Sequence, residues 1–196
     1  MTDSRLERWL EALVATPGLT SVRDPAEARR VHLQDSLSAL ETVRRFDGSI
    51  VDVGSGGGAP GIPLAVALQE RGITLLESNR RKCAFLERWA AELPNLRVVC
   101  GRAEEQPVDT YGVAVAKALA PPPVAAEWCL PLVAPGGAAV LFVGPTAESE
   151  RAAAVAEQLA AELVESPPGL LVLRKVGPTP PGFPRRPGIA RKRPLA

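Results

Sequence analysis

The segment Asp52-Val53-Gly54-Ser55-Gly56-Gly57-Gly58-Ala59-Pro60-Gly61 decides the fold. It grows out of the apolar run Ile50-Val51-Asp52-Val53, which reads as a short strand, and opens a helix at Pro60. Glycines at such a turn let backbone approach a ligand closely, and the helix N-terminus adds unpaired N–H groups. The next strand ends at Glu77, 23 residues after Gly54. A carboxylate at that place can accept both hydroxyls of a ribose.

Downstream, residues 73–76, 96–100, 111–116, 138–143 and 170–176 read as strands, the fifth strand entered through Pro135-Gly136-Gly137. Residues 60–71, 79–93, 121–133 and 147–163 read as the helices between them. Val164-Glu165-Ser166 can pair with the last strand as a hairpin across Pro167-Pro168-Gly169. Strands separated by helices of this length imply parallel βαβ units, hence an α/β doubly wound, mostly parallel sheet. Its ligand crevice lies at the carboxyl ends of the strands. Upstream, Leu6, Trp9, Leu10, Leu13 and Val14 share one helix face, Pro17-Gly18 stops that helix, and Asp24-Pro25 caps a second. The chain thus divides into an N-terminal helical cap (1–46), a nucleoside-binding α/β domain (47–176) and an extended, proline-rich basic arm (177–196).

Two cofactors suit the loop. Gly54-x-Gly56-x-x-Ala59 satisfies a dinucleotide pattern, and Asp52-x-Gly54-x-Gly56-x-Gly58 satisfies a methyltransferase pattern. Asp52 favours the second: a carboxylate there repels a pyrophosphate but suits the ammonium of a methionine moiety, directly or through water. S-adenosyl-L-methionine is the expected cofactor, with an NAD-dependent oxidoreductase as the rival enzyme. The rival of another class is a non-catalytic nucleotide-sensing or RNA-binding module on the same fold.

Composition bounds the remainder. With 196 residues, 46% hydrophobic, the chain can bury a core without staples. Cys83, Cys100 and Cys129 are widely spaced and His32 is the single histidine, a pattern that argues against a disulfide framework and a metal site. The cysteines read as small apolar residues in a reducing cytoplasm. There is no apolar run long enough to span a membrane and no signal-peptide pattern at the start, so a cytoplasmic monomer is expected. Net charge is +1, yet Arg174, Lys175, Arg185, Arg186, Arg191, Lys192 and Arg193 have no acidic residue among them. A basic tail on a slightly acidic body suggests a polyanionic partner, or a solvated tail that aids solubility.

Beyond Ala59, the sequence Pro60-Gly61-Ile62-Pro63-Leu64 resembles the bacterial 16S rRNA (guanine-N7) methyltransferase G family, also called glucose-inhibited division protein B. The stretches 19–25 and 101–105, His32-x-x-Asp35-Ser36-Leu37, and 178–188 agree in the same order. The resemblance implies a class I (Rossmann-like) methyltransferase with a seven-stranded sheet. It implies S-adenosyl-L-methionine as methyl donor and 16S rRNA, free or in the 30S subunit or its precursor, as substrate, the family expectation being guanosine 527 in the 530 loop. It places cofactor contacts on Gly54, Ala59, Ala103, Glu104 and Lys117; the loop reading adds Asp52, Ser55, Gly56 and Glu77. Three departures stand out: Lys117 replaces Arg, Val143 stands before Gly144 where Lys is usual, and Ala59 replaces a larger apolar residue.

Guanine N7 carries a lone pair and no proton, so orientation should dominate catalysis. Lys117 is the candidate positioning residue, at the cofactor carboxylate or at guanine O6. His32 either bonds locally or borders the site with Asp35, one helical turn on. His32, Arg44, Arg45, Arg185, Arg186, Arg191, Lys192 and Arg193 are the candidate RNA contacts.

Overall fold

A computed structural model describes residues 3–144 and 148–196. The expected first residue of the Ala-rich helix, Ala147, and Pro145 lie outside the described residues, as do Met1 and Thr2. Ile50–Val53 (β1) is buried on both faces, as β-branched side chains at the centre of a parallel sheet should be. Around it lie Ile73–Glu77 (β2), Leu96–Cys100 (β3), Tyr111–Lys117 (β4), Val133–Phe142 (β5), Ala161–Val164 (β6) and Leu170–Lys175 (β7). Their order is β3-β2-β1-β4-β5-β7-β6, parallel from β3 to β5, with β7 antiparallel to both neighbours. The chain leaves β1 toward β2 and β3, then returns to β1's other side as β4. That reversal opens the crevice at the carboxyl ends of β1 and β4.

Alternate strand residues feed two cores. Ile50, Val113, Val115 and Val140 pack with the N-terminal helices and with Gly61–Ala67 (α5) and Arg80–Ala90 (α6). Val51, Val53, Ala114 and Leu141 pack with Pro122–Cys129 (α7) and Ser149–Gln158 (α8). At the N-terminus Asp3 caps Ser4–Ala15 (α1), which buries Leu6, Trp9, Leu10 and Leu13. Trp9 Nε1 donates to Gly57 O at 2.9 Å, so this helix is tied to the glycine loop. Asp24 accepts Glu27 N–H at 2.8 Å and Pro25 starts Pro25–Ala28 (α2), as the sequence implies. A π-helical turn, Arg29–Gln34, then leads into two further short helices, Asp35–Leu37 (α3) and Leu40–Arg44 (α4).

Some elements depart from expectation. The helix expected at 60–71 ends at Ala67, because Asn95 Nδ2 takes the carbonyls of Ala65, Leu68 and Arg71. The helix expected to reach 163 ends at Gln158, because residues 161–164 pair with β7. Cys83 and Cys100 are joined as a disulfide with Cα atoms 5.9 Å apart, against the reading of all three cysteines as unlinked; α6 and β3 bring them together beside the end of β2. Cys129 alone is free and buried.

The arm is not extended. Thr179 donates its backbone N–H and its hydroxyl to Asp109, and accepts from Lys175 Nζ, which is fully buried. Phe183 and Leu195 pack on the α7–α8 core, and Ile189–Lys192 (α9) forms a short helix. Arg185 makes a two-pronged ion pair with Glu127 at 2.6 Å on both prongs; the Glu127 side chain is 4% exposed. Loss of one partner strands a buried charge. Arg185→Ala should therefore lower the unfolding free energy by about 3 kcal/mol, measured by urea denaturation. Adding Glu127→Gln should restore part of that loss, and a solvent-exposed pair would show neither effect.

Candidate cofactor and substrate site

The glycine loop is built around one carboxylate. Gly54 (φ +72°) and Gly56 (φ +57°) hold left-handed conformations that side chains resist. Glu77, 7% exposed, accepts Gly56 N–H at 2.9 Å on Oε2 and Asn79 N–H at 2.8 Å on Oε1. Asn79 in turn caps α6, accepting Arg81 N–H at 3.0 Å. Each oxygen of Glu77 keeps a second lone pair for a ribose hydroxyl. Gly54 and Ser55 N–H both donate to Leu76 O, and Gly58 N–H donates to Ser55 O. With the N–H groups of residues 54, 55, 56 and 58 engaged inside the protein, the loop offers little to a pyrophosphate. That weighs against the NAD reading.

Asp52 and Ser55 support the loop rather than face the crevice. Asp52, 1% exposed, accepts Gly61 N–H at 3.0 Å through Oδ2, and Oδ1 has no partner among the described residues. The side chain points at the start of α5, a placement that suits an ammonium contact through water better than a direct one. Ser55 Oγ donates to Asp52 O at 2.8 Å and is buried. Ala59 is half-buried against the core.

A pocket beside the loop is lined by Leu76, Ser78, Gly101, Ala103 and Glu104, the last two in a 3-10 turn after β3. The arm closes the same pocket. Gly188 N–H donates to Glu104 Oε1 at 3.1 Å, and Arg191 lies over the Trp128 ring, 5.1 Å from its centroid. Leu119 and Trp128 also line it, and the buried Trp128 Nε1 has no partner among the described residues. A braced carboxylate, a left-handed loop and an unmatched indole donor fit a nucleoside with hydroxyls and ring acceptors. Sequence reasoning missed Leu119, Trp128, Gly188 and Arg191 as lining, since no local pattern marks them.

Lys117 ends β4, 13% exposed, with Nζ 2.7 Å from Asp35 Oδ2 and a further hydrogen bond to Val31 O. Its ammonium also sits 5.8 Å from the centre of the Phe142 ring. His32 Nε2 lies 2.8 Å from Thr20 Oγ1, and burial, then the Lys117 charge, pushes the imidazole below its usual value. His32 thus stands in the wall beside Lys117 while bonding locally. Of the expected RNA contacts, Arg185 is committed to Glu127 and Arg191, itself exposed, lies over Trp128, while Arg186, Lys192 and Arg193 are exposed. The charge count along the sequence suggested a free basic arm; its acidic partners are distant in sequence.

The seven-stranded order and the loop after β1 are those of class I S-adenosyl-L-methionine-dependent methyltransferases. A Thermus thermophilus 16S rRNA N2 G1207 methyltransferase, solved with AdoMet and guanosine, aligns with TM-score 0.56 at 20% identity, over 85% of this chain and 43% of that one. An O-methyltransferase from Thermotoga maritima gives 0.57 at 17%, over 73% and 65%. The chain belongs to the rRNA small subunit methyltransferase G family, whose model matches residues 4–167. Relatives named ribosomal RNA small subunit methyltransferase G include one from Synechococcus elongatus, 39% identical over 90% of this chain and 82% of its own. Another, from Carboxydothermus hydrogenoformans, is 36% identical over 96% and 90%.

Two outcomes test this site. A valine at position 56 would sit at a left-handed φ, and the strain should loosen the Glu77 brace. Gly56→Val should weaken S-adenosylhomocysteine binding at least about tenfold, about 1.4 kcal/mol. Unchanged affinity in calorimetry removes the loop from the site. The second outcome concerns pH. Burial pushes the Asp52 carboxyl up to about 7 from 3.8, against the Gly61 hydrogen bond. Between these values the unfolded chain gives up its proton while the folded chain keeps it, so stability falls as pH rises. Asp52→Asn should therefore gain stability relative to the parent, by about 2 kcal/mol more at pH 8 than at pH 5. Equal urea midpoint shifts at both pH values would show that the carboxyl titrates normally.

Proposed function

We propose that this protein methylates N7 of a guanine in 16S rRNA, acting in the cytoplasm on the 30S subunit or its rRNA. The observation that carries this reading is the meeting, at the ends of β1 and β4, of a nucleoside pocket with a lysine–carboxylate pair. S-adenosyl-L-methionine supplies an electrophilic methyl group on a sulfonium. Glu77 would hold the ribose hydroxyls, and Glu104, Ala103 and Trp128 the adenine. Guanine N7 needs no general base, so the contribution of this chain is placement: holding the base in line and keeping water out. Lys117 stands at the end of β4, next to the cofactor strand, and donates to the base. A guanine stacked in a helix cannot reach this crevice, so the target must lie in a loop or be flipped out. Arg45, Arg186, Lys192 and Arg193 are exposed and suited to phosphates, while Arg44 shares its charge with Glu41. Lysine at 117 keeps the positive charge that arginine would bring but offers a point donor rather than a planar fork.

The test is transfer of labelled methyl from S-adenosylmethionine to 30S subunits lacking base methylation, followed by mapping of the modified base. A single 7-methylguanine is expected. Lys117→Ala should lower the transfer rate by about a hundredfold, the scale of a misplaced substrate, with S-adenosylhomocysteine affinity nearly unchanged. Cofactor binding without any transfer by the parent protein would favour a non-catalytic RNA-binding module.

A further inference from the structure

The end of β4 sets a hydrogen-bond donor and an acceptor side by side. Lys117 Nζ donates to Asp35 Oδ2 at 2.7 Å and to Val31 O. An ammonium has three N–H groups, so one remains. Asp35, with its side chain 48% exposed, accepts no hydrogen bond at Oδ1 from the described residues. His32, next to the pair, is held toward its neutral form by burial and by Lys117, and its Nε2 is engaged with Thr20. It therefore neither competes for Asp35 nor adds a second positive charge. The π-helical turn Arg29–Gln34 brings Val31 O, His32 and Asp35 to this strand end together. Such turns recur at functional sites.

Enzymes that act on a flipped base read it through its Watson–Crick edge. On guanine that edge runs from the O6 acceptor to the N1–H and 2-amino donors; on adenine the first two positions are reversed. We propose that Lys117 and Asp35 together read the Watson–Crick edge of the target guanine, Lys117 donating to O6 and Asp35 accepting from N1–H and the 2-amino group. N7 lies on the other side of O6 and stays open for methyl transfer. Adenine sets its 6-amino group against the ammonium and its N1 lone pair against the carboxylate. A site that must leave its own polar groups unmatched rejects the wrong ligand strongly. This assignment rests on the methyl-transfer reading above and gives Asp35 the role of a specificity-determining residue.

The test uses 30S subunits reconstituted with 16S rRNA carrying guanosine or inosine at the methylated position. Inosine keeps O6, N1–H and N7 and lacks the 2-amino group. The parent protein should show kcat/KM about tenfold or more lower on inosine, the loss of one charge-assisted hydrogen bond. Asp35→Asn is the informative variant, because its carbonyl can still accept from Lys117 and so keeps the tie to the helical cap. Its amide N–H then faces guanine N1–H. It should lose at least about tenfold on guanosine, with the guanosine-to-inosine ratio near one and S-adenosylhomocysteine affinity within about twofold of the parent. Near-parental activity of Asp35→Asn, or an unchanged ratio, overturns the assignment and leaves the pair a structural tie. Dissociation constants of both particles, measured in parallel, give the same ratio if the variant is too slow to assay. A parent protein that transfers no methyl to guanosine particles contradicts the methyl-transfer reading instead, and the binding ratio still decides the role of Asp35.

Discussion

A buried carboxylate must find donors, and Glu77 finds them on two separate elements: Gly56 N–H on the loop after β1 and Asn79 N–H at the start of α6. Those two hydrogen bonds hold the left-handed loop against the end of β2. They also fix the side chain in one orientation beside the pocket formed by Leu76, Ser78 and residues 101–104. The loop N–H groups are used within the protein, and the helix that follows is steadied by Asp52 on Gly61. The result is a rigid cradle for a nucleoside rather than an anion cup.

The two ends of the chain converge on that cradle. From the N-terminal side, Trp9 reaches Gly57 O and Asp35 reaches Lys117. From the C-terminal side, Gly188 meets Glu104 and Arg191 covers Trp128, with the arm anchored by Thr179 on Asp109 and Arg185 on Glu127. Segments flanking the α/β domain in sequence thus border the loop and the pocket in space. On the proposed assignment the cofactor pocket and the Lys117–Asp35 pair lie at the ends of adjacent strands, and the arm borders the pocket through Gly188, so damage to the arm should be felt there.

Much of this was legible in the sequence. The bounds of β1 and β3 follow from their Val-rich apolar runs, the cap at Asp24 with Pro25 behind it from local chemistry, and the turn into β7 from Pro167-Pro168-Gly169, although of the residues expected to pair across it only Val164 does. The loop's place between β1 and α5, and Glu77 at the end of β2, were equally readable. What escaped was tertiary. Asn95 ends α5 from nearly thirty residues away by taking the carbonyls of Ala65 and Leu68. Ala160, at φ +54°, turns the chain from helix to edge strand where local propensity favoured more helix. Cys83 and Cys100 meet through a strand–helix packing that a separation of 17 residues does not reveal. The prolines of the arm suggested an extended segment, but neither they nor a count of charges along the chain could show Glu127, Glu104 and Asp109 waiting across the fold to hold it down.

The most direct test of this account is amide hydrogen exchange of the full chain with and without S-adenosylhomocysteine. Binding should slow exchange in three separate segments at once: residues 54–58 on the glycine loop, 101–105 after β3, and 188–192 on the arm. Protection confined to the loop would separate the arm from the cofactor site. Protection elsewhere, such as the groove between α1 and α2, with the glycine loop unchanged, would contradict the account outright.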